Sequence, residues 1–574
     1  MKKLFRTPEC YIALGIAIVS LLLCFGSAGV EQVRLVRKGE NSETSFPISQ
    51  AMGTNESFEV SFVWSPGILG NSRLDIHPDD CVDAAWVNGK FFNLENYPGH
   101  CSWLQGFTIE SSDLQKFGPG KKEVKFLLHN GNGLGGMLLE VKENSVAGII
   151  FQLTLYLLVG LLLFFVAKRL RIEATFASIL ILGIFVRFFY LQETNFEQRT
   201  HDVSGHLDYI RIVSEEYRVP SADDCWTCYH PPVYYIASAL PWNVAKVFGI
   251  FPNRMLQWQS FLFATASLLV GLIALRLFFG DGRSFLLSGA LWSFWPSFVL
   301  VSARIGNDSL FYLAHLVCFL LCIMYLQTAK GKFLIGAAVF AGLAFFSKST
   351  GAISVAVWGA TVALRFFCRF SRPSRSEFIG LAAGVLVFAL CGVSLLAGEI
   401  SGNTDGLKWV DVENGPLNYL IFDLKTFLLQ PYTSPFDDAM GRQYFWNYLL
   451  KTSLFGEFRL LDTALGRSMA TALSVLLLFL AFFAVRGLFY MRWNRKAVLF
   501  ALHGVLFLTA AILFRVQYPF SCSNDFRYIV PVLLSVAPFV ACGIETEKIT
   551  SVRIFGYLSV GAFVLFSTLL ILFL

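Results

Sequence analysis

Pro231-Pro-Val-Tyr-Tyr-Ile-Ala-Ser-Ala-Leu240-Pro-Trp-Asn-Val-Ala-Lys-Val-Phe-Gly249 is apolar enough to be taken for a membrane crossing, and its reading sets the sidedness of everything after it. It holds Pro231, Pro232, Pro241, Asn243 and Lys246, and is the weakest spanning candidate in the chain. If it crossed, Arg365, Arg369, Arg372 and Arg375 would lie outside and Lys348 inside, against the bias of basic residues toward the cytoplasm. Laid along the exported interface as an amphipathic helix, it puts Arg276, Arg283, Lys330, Lys332, the 365–375 cluster, Arg486 and Arg492 inside. The same reading gathers Asp202, His230, Arg304, Asp308, Lys348, Arg442 and Arg527 on the exported face.

Outward from that stretch, the chain reads as a polytopic α-helical membrane protein of about 13 spans, amino end in and carboxyl end out. Its 574 residues are 55% hydrophobic and 15% charged, with mean hydropathy +0.58. The net charge of +6 belongs to short basic clusters beside apolar runs, so orientation in a membrane explains it and nucleic-acid binding is not needed. Residues 1–30 carry Lys2, Lys3 and Arg6 before an apolar run and read as a retained first anchor. Residues 31–145 alternate in short segments, Ser57–Trp64, Arg73–Ile76 and Glu123–Leu128, between Gly, Pro, Asn and Asp. They predict an exported β-sandwich or jelly roll. A Cys81–Cys101 disulfide is expected in it. It reads as a rigid cap, or as a carbohydrate binder through Trp86 and Trp103. Residues 146–574 form the transmembrane core, with exported loops at 192–256 and 399–467.

The loop before the opening stretch carries Thr200-His-Asp-Val-Ser-Gly-His206-Leu-Asp-Tyr209 and then Cys225-Trp-Thr-Cys-Tyr-His230. Ionisable groups packed this tightly at a membrane edge are costly to desolvate. A carboxylate there can take a proton from an attacking hydroxyl while Arg, Lys or His meets charge on a departing phosphate. Asp202 is the candidate base; its plainer reading is a loop carboxylate capping Ser204 or pairing with Arg211. His201 and His206 are candidates for orienting the base or the acceptor, with polar packing the alternative for His206. His230, Lys348, Arg442, Arg527 and Arg304 are candidates for a phosphate. His230 also suits a helix-start hydrogen bond, and Lys348 snorkelling from a helix end. Tyr229, Tyr432, Tyr444, Trp446 and Tyr528 suit a sugar or lipid wall, or an interfacial belt. Cys225 and Cys228 are expected to form a local disulfide, with free thiols or zinc as alternatives. These residues suit an enzyme acting on a lipid-borne anionic substrate, a glycolipid flippase, or a membrane scaffold that binds glycans.

Asp202 after a span, His230-Pro231-Pro232, Asn307-Asp308, the Lys348 turn and Asp525-Phe-Arg-Tyr528-x-x-Pro531 follow one another in an order that resembles membrane glycosyltransferases of the GT-C superfamily. More narrowly it resembles the bacterial relatives of protein mannosyltransferases and of the aminoarabinose transferase that modifies lipid A. The likeness spans about 147–545. It implies a GT-C fold, Asp202 as the catalytic acidic residue of the first exported loop of the core, and a polyprenyl-phosphate sugar donor. It further implies inverting transfer to an exported glycan, glycolipid or protein at the periplasmic face of a bacterial inner membrane. The chain departs from the family in the anchor and sandwich that precede the core. His201-Asp202 also lacks the Asp-Glu pair of some relatives, which weakens the case for the divalent metal that the resemblance would otherwise allow.

Overall fold

The computed structural model describes residues 29–574 apart from 45–47, 52–53, 66–71, 98, 102–105, 132–133, 144–153, several positions within 155–172, 197, 249–251, 367–372, 397–413, 435–438, 440, 462 and 521. The expected first anchor and Trp103 lie outside the described residues. The chain divides into two compact units, residues 1–170 and 171–574.

Unit 1 is a β-sandwich. Its strands are β1 (Gly29–Arg37), β2 (Glu40–Glu43), β3 (Ile48–Ala51), β4 (Glu56–Ser65), β5 (Ser72–Pro78), β6 (Cys81–Val87), β7 (Lys90–Phe92), β8 (Phe107–Glu110), β9 (Lys122–Asn130) and β10 (Leu134–Glu143). One sheet runs β2-β1-β4-β9-β6-β7 and the other β3-β10-β5-β8, so from β3 onward the chain swings between sheets, broken only by the β6–β7 hairpin. In β4 every second residue, Phe58 to Trp64, is buried; β5 and β9 alternate in the same way. Those residues meet Leu74, Ile76, Ile109 and Met137 of the opposite sheet in one core, the half-buried pattern that a period of two produces. The Cys81–Cys101 disulfide is formed.

Unit 2 is helical: α1 (Ala174–Glu193), α2 (Val203–Glu216), α3 (Val233–Val247), α4 (Pro252–Phe279), α5 (Arg283–Phe294), α6 (Pro296–Leu300), α7 (Asp308–Thr328), α8 (Gly331–Ser347), α9 (Ala352–Phe366), α10 (Arg375–Leu396), then α11 (Phe445–Phe455), α12 (Ala464–Tyr490), α13 (Arg495–Gln517), α14 (Leu533–Glu545) and α15 (Thr550–Leu572). Among the described residues, eight helices are long and apolar enough to cross a membrane; the α5–α6 pair, bent by 53°, makes a ninth, and α8 and α14 are shorter apolar helices. The bend falls at Trp295-Pro296, where the ring removes a helical donor. Arg187 answers the interrupted backbone by donating to the Ser293 carbonyl at 2.8 Å.

The opening stretch folds as α3, whose 15 residues extend about 22 Å, short of a hydrocarbon core. Tyr234, Tyr235 and Ser238 are buried, while Ile236, Leu240, Val247 and Phe248 are exposed, the two-faced character of an interfacial helix.

Deep in the bundle His315 of α7 and His503 of α13 meet through their Nε2 atoms at 2.8 Å. Ser354 of α9 lies 2.8 Å from His315 Nδ1, and Ser535 of α14 lies 2.6 Å from His503 Nδ1. Ser535 donates its hydroxyl to the Phe500 carbonyl, so His503 must donate to Ser535 and accept from His315, which then accepts from Ser354. The chain is complete with both rings neutral.

Candidate active site

The candidate base sits in a loop held from several sides. Arg199 donates to Tyr190 Oη and Thr194 Oγ1, each at 3.2 Å, and its own carbonyl accepts from Arg304 Nε at 2.8 Å. Arg199 and Asp202 both adopt the left-handed region, φ 52° and 53°, a conformation that non-glycine residues hold only when their surroundings fix it. The Asp202 carbonyl accepts from His206 N and starts α2, but its carboxylate caps nothing. Arg211 pairs with Asp208 instead. The plainer readings of Asp202 therefore fail: its side chain is 44% exposed, with Arg527 Nη2 3.9 Å from Oδ2.

His206 is buried on the first turn of α2, its Nδ1 2.8 Å from Tyr235 Oη and its ring stacked over His230 at 5.8 Å. Burial holds it down at about 4, against the pull of Asp202 and Asp308. His230 is likewise held well below the usual histidine range, by burial and then by the neighbouring His206, Lys348 and Arg527. At neutral pH both rings are neutral, so they offer a phosphate hydrogen bonds and no charge. Tyr229 lies against His230, at 4.3 Å between rings. The Cys225–Cys228 disulfide is formed, and Thr227 between them packs so close to Gly205 that a Cβ there would come within 2.6 Å of it. Only glycine lets the disulfide loop rest on α2.

Lys348, in the turn between α8 and α9, is ion-paired with Asp308 at the start of α7 and sits 4.9 Å from the Tyr528 ring centre. With 8% of its side chain exposed it does not snorkel. Arg527 donates to Tyr528 Oη at 3.0 Å and lies 3.6 Å from Asp525 Oδ2. Arg304 stands over the Phe458 ring at 5.0 Å. A small polar cavity is lined by Thr200, His201, His206, Arg304, Asp308 and Arg527 among others.

The structure gathers Asp202, His201, His206, His230, Arg304, Lys348, Arg527 and Tyr528. The other candidates have these surroundings. Tyr432 donates to the Leu461 carbonyl and packs on Phe455; Trp446 donates to the Tyr419 carbonyl; Tyr444 precedes α11 as its N-cap; Arg442 stands near Arg515. Glu457, which sequence reasoning missed, joins the site. It follows Gly456, whose φ of +61° ends α11 and whose missing Cβ leaves room for Arg304 3.2 Å away. Burial, reinforced by Asp525, pushes Glu457 up to about 7, and burial raises Asp525 as well. His201 lies between them, and one ligand atom from each of the three falls within 4.8 Å of the others.

The fold and site define a polytopic helical membrane protein with a charged cluster at the ends of its apolar helices. No family model and no curated protein matches the chain. Among solved structures it is similar to ArnT from Cupriavidus metallidurans bound to undecaprenyl phosphate, at 14% identity and TM-score 0.32, over 68% of this chain and 77% of that one. The apo state of the same protein gives 12% and 0.31, over 68% and 76%. EmbB, an arabinosyltransferase from Mycobacterium smegmatis, gives 11% and 0.31, over 94% of this chain and 64% of that one.

Proposed function

We propose that the protein transfers a sugar from a polyprenyl-phosphate donor to an exported acceptor, with inversion at the anomeric carbon. The observation that carries this reading is the Asp202 carboxylate: accessible, engaged in no cap, and 3.9 Å from Arg527 beside a polar cavity. Asp202 removes the proton of an acceptor hydroxyl, whose oxygen attacks the anomeric carbon as the bond to the lipid phosphate breaks. Arg527 is the cation best arranged to meet the charge on that phosphate, because its planar fork can grip two oxygens. Lys348, paired with Asp308, and Arg304, tied to the 199 carbonyl, shape the cavity's field. The neutral His206 and His230 supply hydrogen bonds. The cluster lies at helix ends, so a headgroup reaches it laterally from one leaflet. On this reading that is the periplasmic leaflet of a bacterial inner membrane, residues 1–30 anchor an exported domain at 31–145, and residues 146–574 are the catalytic core. The sandwich is then the candidate for holding the acceptor glycan.

The test is incubation of purified protein in lipid with labelled polyprenyl-phosphate sugars and an extract of exported glycans, wild type against Asp202→Asn. Transfer by wild type and its loss in a folded variant support the reading. Equal transfer by both removes Asp202 from the chemistry. Donor binding with no transfer by either turns the assignment to a glycolipid exporter.

A further inference from the structure

We propose that His201, Glu457 and Asp525 bind a divalent cation of the zinc class, behind Asp202, that fixes the three loops from which the site is built. The ligands come from three separate segments: the left-handed loop before α2, the turn after α11, and the turn before the 3-10 helix Phe526–Tyr528. His201 Nδ1 lies 3.4 Å from Glu457 Oε2, and His201 Nε2 lies 3.5 Å from Asp525 Oδ2. Both separations are long for a hydrogen bond. They run from opposite nitrogens of the ring, of which one ion takes only one. A ligand atom from each of the three residues lies within 4.8 Å of the others, and closing that spread to the roughly 3.4 Å between donors about 2.0–2.1 Å from a tetrahedral zinc takes a rotation of these side chains.

A second observation points to a missing partner. Asp525 is 2% exposed, yet its Oδ2, aimed at the imidazole and 3.6 Å from the Arg527 Nε with which it is ion-paired, accepts no hydrogen bond, and the His201 Nε2 facing it has none either. Buried polar atoms are rarely left in this state. The other oxygens of the two acids are engaged: Glu457 Oε1 accepts from Tyr448 Oη, and Asp525 Oδ1 accepts from the Arg527 backbone N–H at 3.0 Å. The His201 ring packs on Phe458 at 5.1 Å. The ligands are thus oriented from outside, as metal ligands are.

Charge allows the cation. Asp202, Asp308, Glu457 and Asp525 face Arg304, Lys348 and Arg527, which leaves one negative charge in excess when all are ionised. An imidazole beside two carboxylates favours zinc over magnesium or calcium, which prefer all-oxygen shells. The cation does not touch Asp202. It acts by holding His201, the residue before it, against two loops more than two hundred residues downstream, so it is a positioning element and not a Lewis acid for the sugar.

The experiment reads metal content and needs no transfer assay, so its failure and the failure of the proposed transfer are distinct. Tag-free full-length protein is stripped with a chelator, dialysed against Zn2+ or Mg2+, and analysed by elemental mass spectrometry. Zn2+ affinity is taken from competition with a chromophoric chelator. The expected result is one zinc per chain and no magnesium. Affinity falls by more than about tenfold in His201→Gln and in Glu457→Gln, and is kept in Asp208→Asn, which alters an exposed carboxylate. Thermal unfolding of each variant identifies any that fails to fold; the two ligand substitutions lie in different loops, so one folded variant suffices. Wild type without zinc, or zinc retained at full affinity in a folded ligand variant, overturns the proposal and leaves water as the group between these atoms.

Discussion

His315 and His503, buried among four apolar helices, have every ring nitrogen engaged and a hydrogen-bond direction fixed by Ser535 and the Phe500 carbonyl. His201, partly buried at the helix ends, keeps Nε2 without a hydrogen bond, facing Asp525 Oδ2 in the same state, and Arg527 Nε beside them is ion-paired with that oxygen but makes no hydrogen bond. The two sets have similar composition and opposite bookkeeping. A closed network consumes its own donors and acceptors and so holds helices together; an open one keeps capacity for something the chain does not supply. Inside a membrane, histidine alone does not mark a site. What marks it is the polar atom left over.

The largest effect that would sharpen this contrast is at Asp202. Asn tolerates the left-handed backbone as Asp does, so Asp202→Asn removes charge without adding strain. Transfer falls by about 10²–10⁴-fold with little change in melting temperature, measured on matched folded protein. Arg527→Lys keeps the charge and loses the fork; a fall of about tenfold to a hundredfold in kcat/KM is expected, and unchanged kcat/KM would take the guanidinium out of phosphate binding. At the closed network the effect is on stability. His315→Ala or His503→Ala leaves a buried partner unpaired and costs about 1–2 kcal/mol, and a double-mutant cycle in detergent shows coupling near 1 kcal/mol, while transfer per folded molecule persists. Lost transfer with unchanged stability would break the comparison.

The smallest effect lies in the sandwich, where Asp80 accepts from the Gly131 N–H and Asp79 beside it has no such relief. Burial, with Asp80 second, pushes Asp79 up from 3.8 to about 6. The folded state therefore binds more protons than the unfolded state between these values, so stability is fully present below about 4 and declines as pH rises to 6. The group is partly solvated, which limits the effect to about 1 kcal/mol. Unfolding of Asp79→Asn across pH 4–7 should lack that decline.

Alternation made β4, β5 and β9 legible in sequence, because a strand buried on one face must place apolar residues at every second position. The prolines and Lys246 marked α3 for the same reason of local chemistry. Asp202, His230, Lys348 and Arg527 were legible as ionisable groups at span ends. Glu457 was not: one acid after a glycine in a long loop resembles any solvated turn, and its neighbours Asp525 and His201 are far off in the chain. The Tyr432 and Trp446 rings illustrate the opposite confusion, since an aromatic that donates to a backbone carbonyl has the same sequence pattern as one that walls a sugar site. The His315–His503 contact joins residues 188 apart, and nothing local to either announces the other.

The histidine chain also has a mechanical meaning. It links α7 to α13 and α13 to α14, at a level seven residues, about 10 Å, along α7 from Asp308. Ser535 is the third residue of α14, and Arg527 joins that helix through the 3-10 turns Phe526–Tyr528 and Val530–Val532, so one flank of the cavity is the first two turns of α7 and the other is a pair of short turns rooted at the pin. A ligand that wedges Asp308 and Arg527 apart must flex the start of α7 or the turns that carry Arg527, since sliding α7 past α13 and α14 would sever a directed run of hydrogen bonds. The width of the cleft is thus set from below, by residues no substrate reaches.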